Sequence, residues 1–395
     1  MQKDPIVIVS MARTPQGKFL GELKTITSTK LGSIAIKSAI ERAHLTPNDI
    51  HEVLMGCVLT AGLGQAPARQ AALDAELPNS VPCTTINKMC ASGMKTVMLA
   101  HDALIASESN EIYIAGGMES MSNAPYLLPK AREGYRIGHA EVLDHMLWDG
   151  LEDAYEKGRH MGYFAELCAK KYGFTREEQD LYAIGSLERA QKAIRDKLFT
   201  EEMTPVVISN LHGEKIIDTD EHPLAVKMEK IPHLPPVFME GGTVTAANSS
   251  SIADGAAALV LMRYSEAERR GIKPLAQIIG FSSHAKAPDQ FTTAPIDAIS
   301  KLLKKLNWSI NQVDLFEINE AFAVVAMAAM SDLHIPREKL NVHGSGCALG
   351  HPIGATGARI IVTLVSALKN YKLKRGIAAL CIGGGEATAI AIEAL

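Results

Sequence analysis

Two short segments of this chain resemble each other: ASGMK at residues 91–95 and ATGAR at residues 355–359. Each is followed by a Gly-rich segment, AGGME at residues 115–119 and IGGGE at residues 382–386. The two members of the first pair are separated along the chain by nearly the same number of residues as the two members of the second pair. Small residues at helix starts and glycines at strand ends recur by chance in α/β proteins. Two matches in one register argue against chance, so the sequence predicts two similar halves.

Short apolar runs alternate with helix-period segments along most of the chain. Residues 5–9 form such a run, and residues 111–115 and 377–382 form two more that precede glycines. The pattern is typical of buried strands in a layered α/β protein. Residues 243–248 and 256–262 are predicted to return to the sheet of the first half.

Residues 121–244 interrupt this pattern. They are rich in Met, Tyr, His and charged residues, contain several prolines, and include one amphipathic helix over about 177–197. We therefore predict an inserted loop domain at 121–244. The first half then comprises residues 1–120 and 245–271, and the second half residues 272–395.

Bulk composition restricts the class of ligand. A chain of 395 residues with 47% apolar residues can bury more than one core. A formal net charge of -4 and a pI near 6.4 offer no basic field for nucleic acid or an anionic membrane. No apolar stretch reaches membrane-spanning length, and the early strand leaves no room for a targeting segment. The sequence predicts a cytoplasmic protein with a small anionic ligand.

The cysteines form no CxxC pair, so neither a disulfide framework nor a zinc or other metal site is expected. They are Cys57, Cys83, Cys90, Cys168, Cys347 and Cys381. Reduced thiols are the default reading in a cytosol-like compartment.

Cys90 lies directly before small residues and a helix-period run. At a helix N-terminus, free N–H groups and the macrodipole stabilise a thiolate, which predicts a lowered thiol pKa and an exposed nucleophile. An isolated cysteine is, however, more often a small buried hydrophobic residue. This segment alone leaves both interpretations open.

Two further segments can complete a nucleophilic site. Cys381 ends a strand-like run, and the glycines from Gly383 onward leave N–H groups free to face a ligand. The repeat places Ile114 at the equivalent position of the first half. His351 lies in a turn that opens the helix equivalent to the one after Cys90, so it can accept the thiol proton if the two helix starts meet. An inert strand-end thiol and a structurally bonded turn histidine are the alternatives.

Asn319 precedes an apolar helix start in NEAF, residues 319–322. Its amide can hold a water molecule or an oxyanion, or it can only cap the helix.

Together, these segments resemble the four motif blocks of the thiolase family. In chain order they are NKMCASG at 87–93, NEAF at 319–322, GHP at 350–352 and CIGGG at 381–385. The similarity runs from residue 6 to the C-terminus. It implies a duplicated five-layered α-β-α-β-α fold with an inserted loop domain, assembled as a homodimer or homotetramer. It also implies coenzyme A thioesters as substrates and no further cofactor.

The resemblance implies a role for each matching residue. Cys90 would be the nucleophile that takes the acyl group from coenzyme A, and His351 would activate its thiol. Cys381 would protonate the departing enolate in cleavage and remove the C2 proton of a second acetyl-CoA in condensation. Asn319 would hold a water that forms one oxyanion hole with His351, and the N–H groups of Cys90 and Gly383 would form the other.

The same resemblance predicts contacts to the substrate. The residues concerned are His160, Met161, Ala246, Ala247, Ser250, Phe291, Ala321 and Phe322. Lys227 and Lys230 are candidates for a phosphate of the coenzyme A nucleotide, although residues 222–224 lack an arginine that some relatives have. The run at 291–295 favours a short acyl pocket, and therefore the condensation of two acetyl-CoA molecules to acetoacetyl-CoA and CoA.

Other functions stay open on the sequence alone. The alternative enzyme is a degradative 3-ketoacyl-CoA thiolase of broader chain length. A decarboxylating ketoacyl synthase typically has a second histidine in place of Asn319 and lacks the Cys381 motif. A non-catalytic acyl or lipid carrier would keep the fold without the chemistry. A cysteine hydrolase using Cys90 and His351 would give Cys381 no role.

Overall fold

A computed structural model describes residues 4–107, 109–210 and 213–395. The strands are β1 (Ile6–Arg13), β2 (Gly17–Lys18), β3 (Glu52–Gly56), β4 (Cys83–Ile86), β5 (Tyr113–Ser120), β6 (Tyr126–Leu127), β7 (Leu143–Asp144), β8 (Val206–Asn210), β9 (Gly213–Ile217), β10 (Ala253–Arg263), β11 (Ala276–Ala285), β12 (Leu315–Ile318), β13 (Arg375–Ile382) and β14 (Glu386–Ala394). The helices are α1 (Ser28–Arg42), α2 (Pro67–Asp74), α3 (Ser92–Ser107), α4 (Met161–Tyr172), α5 (Arg176–Arg195), α6 (His222–Ala225), α7 (Tyr264–Arg270), α8 (Ala294–Leu306), α9 (Ala323–Leu333), α10 (Gly346–Leu349) and α11 (Ile353–Tyr371).

The large sheet is arranged symmetrically about its centre. Its strand order is β12-β13-β14-β11-β1-β10-β5-β3-β4, with β2 beside β10. In the first half-sheet, β1 pairs antiparallel with β10, β10 pairs antiparallel with β5, and β5 pairs parallel with β3. In the second half-sheet, β11 pairs antiparallel with β14, β14 pairs antiparallel with β13, and β13 pairs parallel with β12. β1 and β11 share two residue pairs, Val7 with Gln277 and Ile8 with Ala276, so the sheet divides into two half-sheets of matching order. The first half-sheet is extended by β4, which pairs parallel with β3.

Helices lie between the half-sheets and outside them. α3 and α11 pack against each other and against strands of both halves, whereas α1 and α2 cover the first half-sheet and α8 the second. β10 shows how the layers are filled. Ala257, Leu259 and Leu261 face the α3/α11 core, while Ala258 and Val260 face the α1/α2 core, with the period of two expected of a doubly buried strand. The predicted duplicated α-β-α-β-α fold is confirmed.

α3 and α11 approach each other closely because glycines stand at their crossing. A Cβ atom on Gly93 would lie 2.7 Å from the backbone nitrogen of Ala358. One on Gly357 would lie 2.3 Å from the backbone nitrogen of Met94. Gly93 and Gly357 are the residues that the repeat pairs, so each half contributes the same small residue. The two helix starts are therefore held side by side.

One predicted element differs from the structure. Residues 243–248 form a turn, and β10 begins only at Ala253. Within the turn, the Thr245 N–H donates to Asn248 Oδ1 at 2.7 Å, and the Asn248 N–H donates to Thr245 Oγ1 at 3.4 Å. Such local side-chain to backbone hydrogen bonds compete with a strand ladder, which is why the prediction of a strand at 243–248 is wrong.

The segment 121–244 carries β6 to β9 and α4 to α6, and α5 is the amphipathic helix predicted near 177–197. Arg13 of β1 ties this segment to the first half. Its guanidinium binds Glu202 at 2.5 Å and Asp220 at 2.7 Å, and all three side chains are buried. Removing one partner would leave an uncompensated buried charge. The boundaries of the inserted domain stay a prediction.

Replacing Gly357 by alanine tests the helix crossing. We expect Gly357→Ala to lower the free energy of unfolding by about 1–3 kcal/mol, because the added methyl overpacks the contact between α3 and α11. Gly185→Ala in α5 is the matched control, since the nearest atom would lie 3.8 Å from its Cβ. The control should gain up to about 1 kcal/mol from helix propensity. Denaturant unfolding measures both, and equal stability of the two variants would contradict the close crossing.

Candidate active site

One cavity of about 480 Å³ collects most of the residues singled out in the sequence. From those sequence candidates, its lining contains Cys90, His160, Met161, Ala246, Ser250, Phe291, Ala321, Phe322, His351, Cys381 and Gly383. These residues come from the first half, the inserted segment and the second half. The fold thus assembles one site from distant parts of the chain.

Cys90 lies in a tight turn two residues before α3. Met89 has a left-handed backbone with φ 47°, which is costly for a residue with a side chain. The Ala91 N–H bonds the Lys88 carbonyl at 3.1 Å, and the Ser92 N–H bonds the Met89 carbonyl at 2.9 Å. The turn places the half-buried Cys90 thiol in the cavity wall.

The pKa of the Cys90 thiol moves opposite to the sequence-based expectation. Removal from water raises this pKa to about 11, although the N–H groups of Gly383 and of Cys90 itself favour the thiolate. The prediction of a lowered pKa is wrong because desolvation of the charge outweighs two N–H dipoles. At neutral pH the thiol is protonated, and it needs a base to become a nucleophile.

His351 has the tautomer required of that base. Its Nδ1 lies 2.6 Å from Thr356 Oγ1, and the Thr356 hydroxyl donates to the Pro352 carbonyl at 2.9 Å. Because this hydroxyl carries one proton, it accepts from Nδ1–H and leaves the lone pair on Nε2. Nε2 is buried and has no partner in the described part of the chain. Burial, followed by the charge of Arg359, lowers the pKa of His351 to about 3, so the ring is neutral.

Cys381 is the penultimate residue of β13 and is fully buried. Burial, followed by the charge of Cys90, raises the pKa of its thiol well above the ordinary value. Both thiols line the same cavity, where a thiolate at one would disfavour a thiolate at the other. Beyond Gly383, the loop needs glycine at Gly384 and Gly385, with φ 91° and 88°. This loop presents the Gly383 N–H to the Cys90 sulfur.

Asn319 follows β12, where its N–H bonds the Ala379 carbonyl at 3.0 Å. Its side-chain amide is fully buried, and neither amide atom has a partner among the described residues. It does not cap α9, which begins at Ala323. A Cβ on Gly346 would lie 2.9 Å from Asn319 Oδ1, so this glycine keeps room beside the amide. An unpaired buried amide costs about 1–3 kcal/mol, which favours a bound water or ligand group there.

A second cavity of about 350 Å³ adjoins the first, and both are lined by His222 and Ala246. Lys227, Lys230 and Ala247 line the second cavity. The structure therefore separates the predicted substrate contacts into two groups. The thiols and the imidazole belong to one cavity, and the two candidate phosphate-binding lysines belong to its neighbour.

Sequence reasoning missed several residues of the first cavity. They include Lys18, Phe19, Met121, Leu151, His222, Val237, Phe238, Ser249, Ser251, Ile252 and Ile353. The ring of Phe238 stacks on that of His160 with centroids 4.9 Å apart. A Cβ on Gly162 would lie 2.2 Å from the Phe238 ring. Gly162, beside the predicted contact Met161, is the signal in the sequence for such a close approach.

The described ranges contain no helix that is long and apolar enough to cross a membrane. Within the same residues, no group of three or more His, Cys, Asp or Glu side chains is arranged to hold a metal ion. The six cysteines are free thiols.

Two family models match this chain: the thiolase N-terminal domain over residues 6–265 and the thiolase C-terminal domain over residues 272–394. Acetyl-CoA acetyltransferase 1 of Arabidopsis thaliana is 51% identical over 396 residues, which cover 100% of this chain and 95% of that protein. The crystal structure of the Bacillus anthracis acetyl-CoA acetyltransferase has a TM-score of 0.96 at 41% identity and 99% coverage of each chain. The Acat5 thiolase of Ascaris suum, crystallised with coenzyme A, has a TM-score of 0.93 at 40% identity. That match covers 99% of this chain and 100% of that chain.

The pH dependence of Cys90 alkylation tests the protonation state of the site. We expect the rate with iodoacetamide to rise steadily between about pH 6 and 9, because a thiol with a pKa of about 11 is mostly protonated there and the thiolate is the reactive form. Peptide mapping by mass spectrometry isolates Cys90, with Cys90→Ser as the control for the remaining thiols. A rate plateau across neutral pH would indicate a preformed thiolate and contradict the assignment.

Proposed function

This chain belongs to the thiolase family, and from that premise we propose that it is an acetyl-CoA acetyltransferase. It condenses two molecules of acetyl-CoA to acetoacetyl-CoA and CoA, reversibly, through an acetyl group on Cys90. The convergence of Cys90, His351 and Cys381 in one cavity carries the proposal. The names of its relatives and the coenzyme A in the Ascaris thiolase structure support the substrate.

In the first half-reaction the acetyl group moves to Cys90. His351 Nε2 takes the thiol proton while the sulfur attacks the thioester carbonyl, and the N–H groups of Cys90 and Gly383 stabilise the oxyanion. The CoA sulfur then takes this proton from His351, so CoA leaves as a thiol. Burial raises the pKa of the thiol to about 11 and lowers that of the imidazole to about 3, which disfavours a resting thiolate–imidazolium pair, so proton transfer accompanies attack.

In the second half-reaction a carbon–carbon bond forms. Cys381 gives its thiol proton to His351 Nε2, and the resulting thiolate removes the C2 proton of the second acetyl-CoA. The enolate oxygen is stabilised by the Nε2–H of His351 and by a water held on Asn319. The carbanion attacks acetyl-Cys90 and acetoacetyl-CoA is released. The departing Cys90 sulfur takes the proton from His351, and Cys381 keeps the C2 proton, so both thiols and the imidazole return to their neutral forms. Acetylation leaves Cys90 without an ionisable proton, so no thiolate at Cys90 can oppose the ionisation of Cys381. The carbanion also needs an acetyl group on Cys90 to attack, so acetylation comes first.

Packed aromatic rings limit the acyl group. The rings of Phe291 and Phe322 lie 6.4 Å apart, and those of Phe238 and Phe322 lie 5.9 Å apart, all in the wall of the first cavity. This wall suits an acetyl or acetoacetyl group. The nucleotide phosphates then extend into the adjoining cavity toward Lys227 and Lys230.

Assembly and compartment belong to the same proposal. The segment 126–148 of the inserted domain exposes Tyr126, Leu128, Ile137 and Val142, and Ile137 is 98% exposed. An apolar surface of this kind suits a homotetramer contact, and a homodimer is the smaller alternative. The free thiols support a cytoplasmic location.

Substitution of Cys381 separates the half-reactions. Cys381→Ala is expected to gain an acetyl adduct on Cys90 from acetyl-CoA, as judged by mass spectrometry, yet to lose condensation and acetoacetyl-CoA cleavage by at least about 10²-fold, since it lacks the proton-transfer group. Cys168→Ala removes another buried thiol, which lies in the core, and should turn over like the wild type. Full turnover by Cys381→Ala would exclude the assigned role. A wild type without an adduct would favour a carrier.

The dependence of thiolysis on acyl length distinguishes the acetyl-specific enzyme from the degradative alternative. We expect kcat/KM to be highest for acetoacetyl-CoA and to fall about tenfold or more with each two-carbon extension, because added methylenes meet the aromatic wall. Phe238→Ala should relax this preference. A flat or rising series in the wild type would instead support the enzyme of broader chain length.

A further inference from the structure

The two halves carry a carboxylate at the same position of the repeat. Glu119 ends AGGME in the first half, and Glu386 ends IGGGE in the second half. Each carboxylate reaches across to the opposite half, where it binds the segment next to a helix start.

Glu119 binds the start of α11. Its carboxylate accepts hydrogen bonds from the N–H groups of Val58 and Leu59, both at 3.1 Å, and of Gly354 at 2.8 Å. Gly354 is the second residue of α11 and lies three positions after His351. A Cβ on Gly354 would lie 2.7 Å from the carboxylate, so only glycine allows this contact. The first half thereby holds the turn that carries the imidazole of the second half.

Glu386 binds the segment before α3. Its carboxylate forms an ion pair with Lys88 Nζ, and both side chains are about two-thirds to three-quarters buried. Lys88 precedes Cys90 by two residues, and its N–H donates to Ser92 Oγ at 2.9 Å. Glu386 follows the glycine loop of Gly383 directly and begins β14. The pair therefore joins the two backbone segments whose N–H groups face the Cys90 sulfur.

Few direct polar links join these segments. In the part of the chain that the structure describes, residues 87–91 and 382–386 are linked by this ion pair and by the Gly383 N–H that faces the Cys90 sulfur. The glycine loop has left-handed residues at Gly384 and Gly385, and Gly385 packs against the backbone of Lys286 and Ala287. Its distance from the Cys90 turn therefore depends on contacts at its ends.

We propose that the Lys88–Glu386 ion pair positions the oxyanion hole, because it sets the separation between the N–H groups of Cys90 and Gly383. Lys88 and Glu386 are thus positioning residues that act through the backbone on either side of the nucleophile. This inference rests on the proposed thiolase chemistry. Glu386 would then hold the segment before α3 in the same way that Glu119 holds the start of α11.

The structure also predicts what a variant should leave unchanged. A partly exposed ion pair contributes little to folding stability, so its loss should affect catalysis more than melting temperature. Acyl-group and coenzyme A contacts lie elsewhere in the two cavities, so KM should change little. A drop in kcat without a matching drop in stability is therefore the signature of positioning.

The experiment compares Glu386→Gln and Lys88→Met with Glu393→Gln in the full-length enzyme. Glu393 lies at the other end of β14, where its carboxylate binds Arg375 at 2.7 Å, and serves as the matched control. We expect kcat for acetoacetyl-CoA cleavage to fall about 10- to 100-fold in the first two variants, because loss of an oxyanion donor costs about 10²- to 10³-fold. Alkylation of Cys90 at fixed pH should also slow by at least about threefold, since the Gly383 N–H no longer favours the thiolate. The control should match the wild type in both.

A double-mutant cycle tests the pairing itself. Lys88→Met combined with Glu386→Gln should lose no more activity than either single variant, whereas multiplying losses would overturn the proposal. Two other results would overturn it as well. One is a Glu386→Gln variant whose kcat and alkylation rate match those of the wild type. The other is a loss of kcat that is accompanied by a large drop in melting temperature. Failure of the wild type to acetylate Cys90 would instead defeat the proposed function. The alkylation readout needs no thioester and so keeps the two failures distinguishable.

Discussion

The close crossing of α3 and α11 is the contact on which the site depends. Gly93 and Gly357 let the helix backbones touch, and the helix starts carry the catalytic groups with them. Cys90 precedes α3 by two residues, and His351 precedes α11 by two residues. Residues far apart in the chain become neighbours because both halves bring the same element to the same axis. A duplicated fold thus provides two different functional groups from one structural plan.

Burial controls how the assembled groups behave. The cavity raises the pKa of both thiols and lowers the pKa of the imidazole, so each group rests in its neutral form. Neutral groups are cheap to bury, whereas a permanent thiolate–imidazolium pair in the same place would be costly. The site therefore holds donors, such as the N–H groups of Cys90 and Gly383, that favour negative charge only when it develops on the substrate or sulfur. Reactivity is tied in this way to the presence of a thioester.

Much of the fold and of the site could be predicted because local composition reports it. The repeat at residues 91–95 and 355–359 predicts two halves, and the motifs around Cys90, His351 and Cys381 identify three side chains that the structure places together. The failures arise where a property depends on surroundings. The strand expected at 243–248 is a turn closed by side-chain hydrogen bonds. Phe238 lies in the cavity wall only because Gly162 leaves room for its ring.

The sequence by itself determined the duplicated α/β fold, the candidate thiols and imidazole, and the glycines that permit close contacts, since these follow from residue type and spacing. Only the tertiary structure decided the sign of the Cys90 pKa shift, the tautomer of His351 and the contact between Lys88 and Glu386. The reason is physical: desolvation, hydrogen-bond geometry and charge pairing depend on distances between groups remote in the chain. Spacing along a polypeptide does not contain those distances.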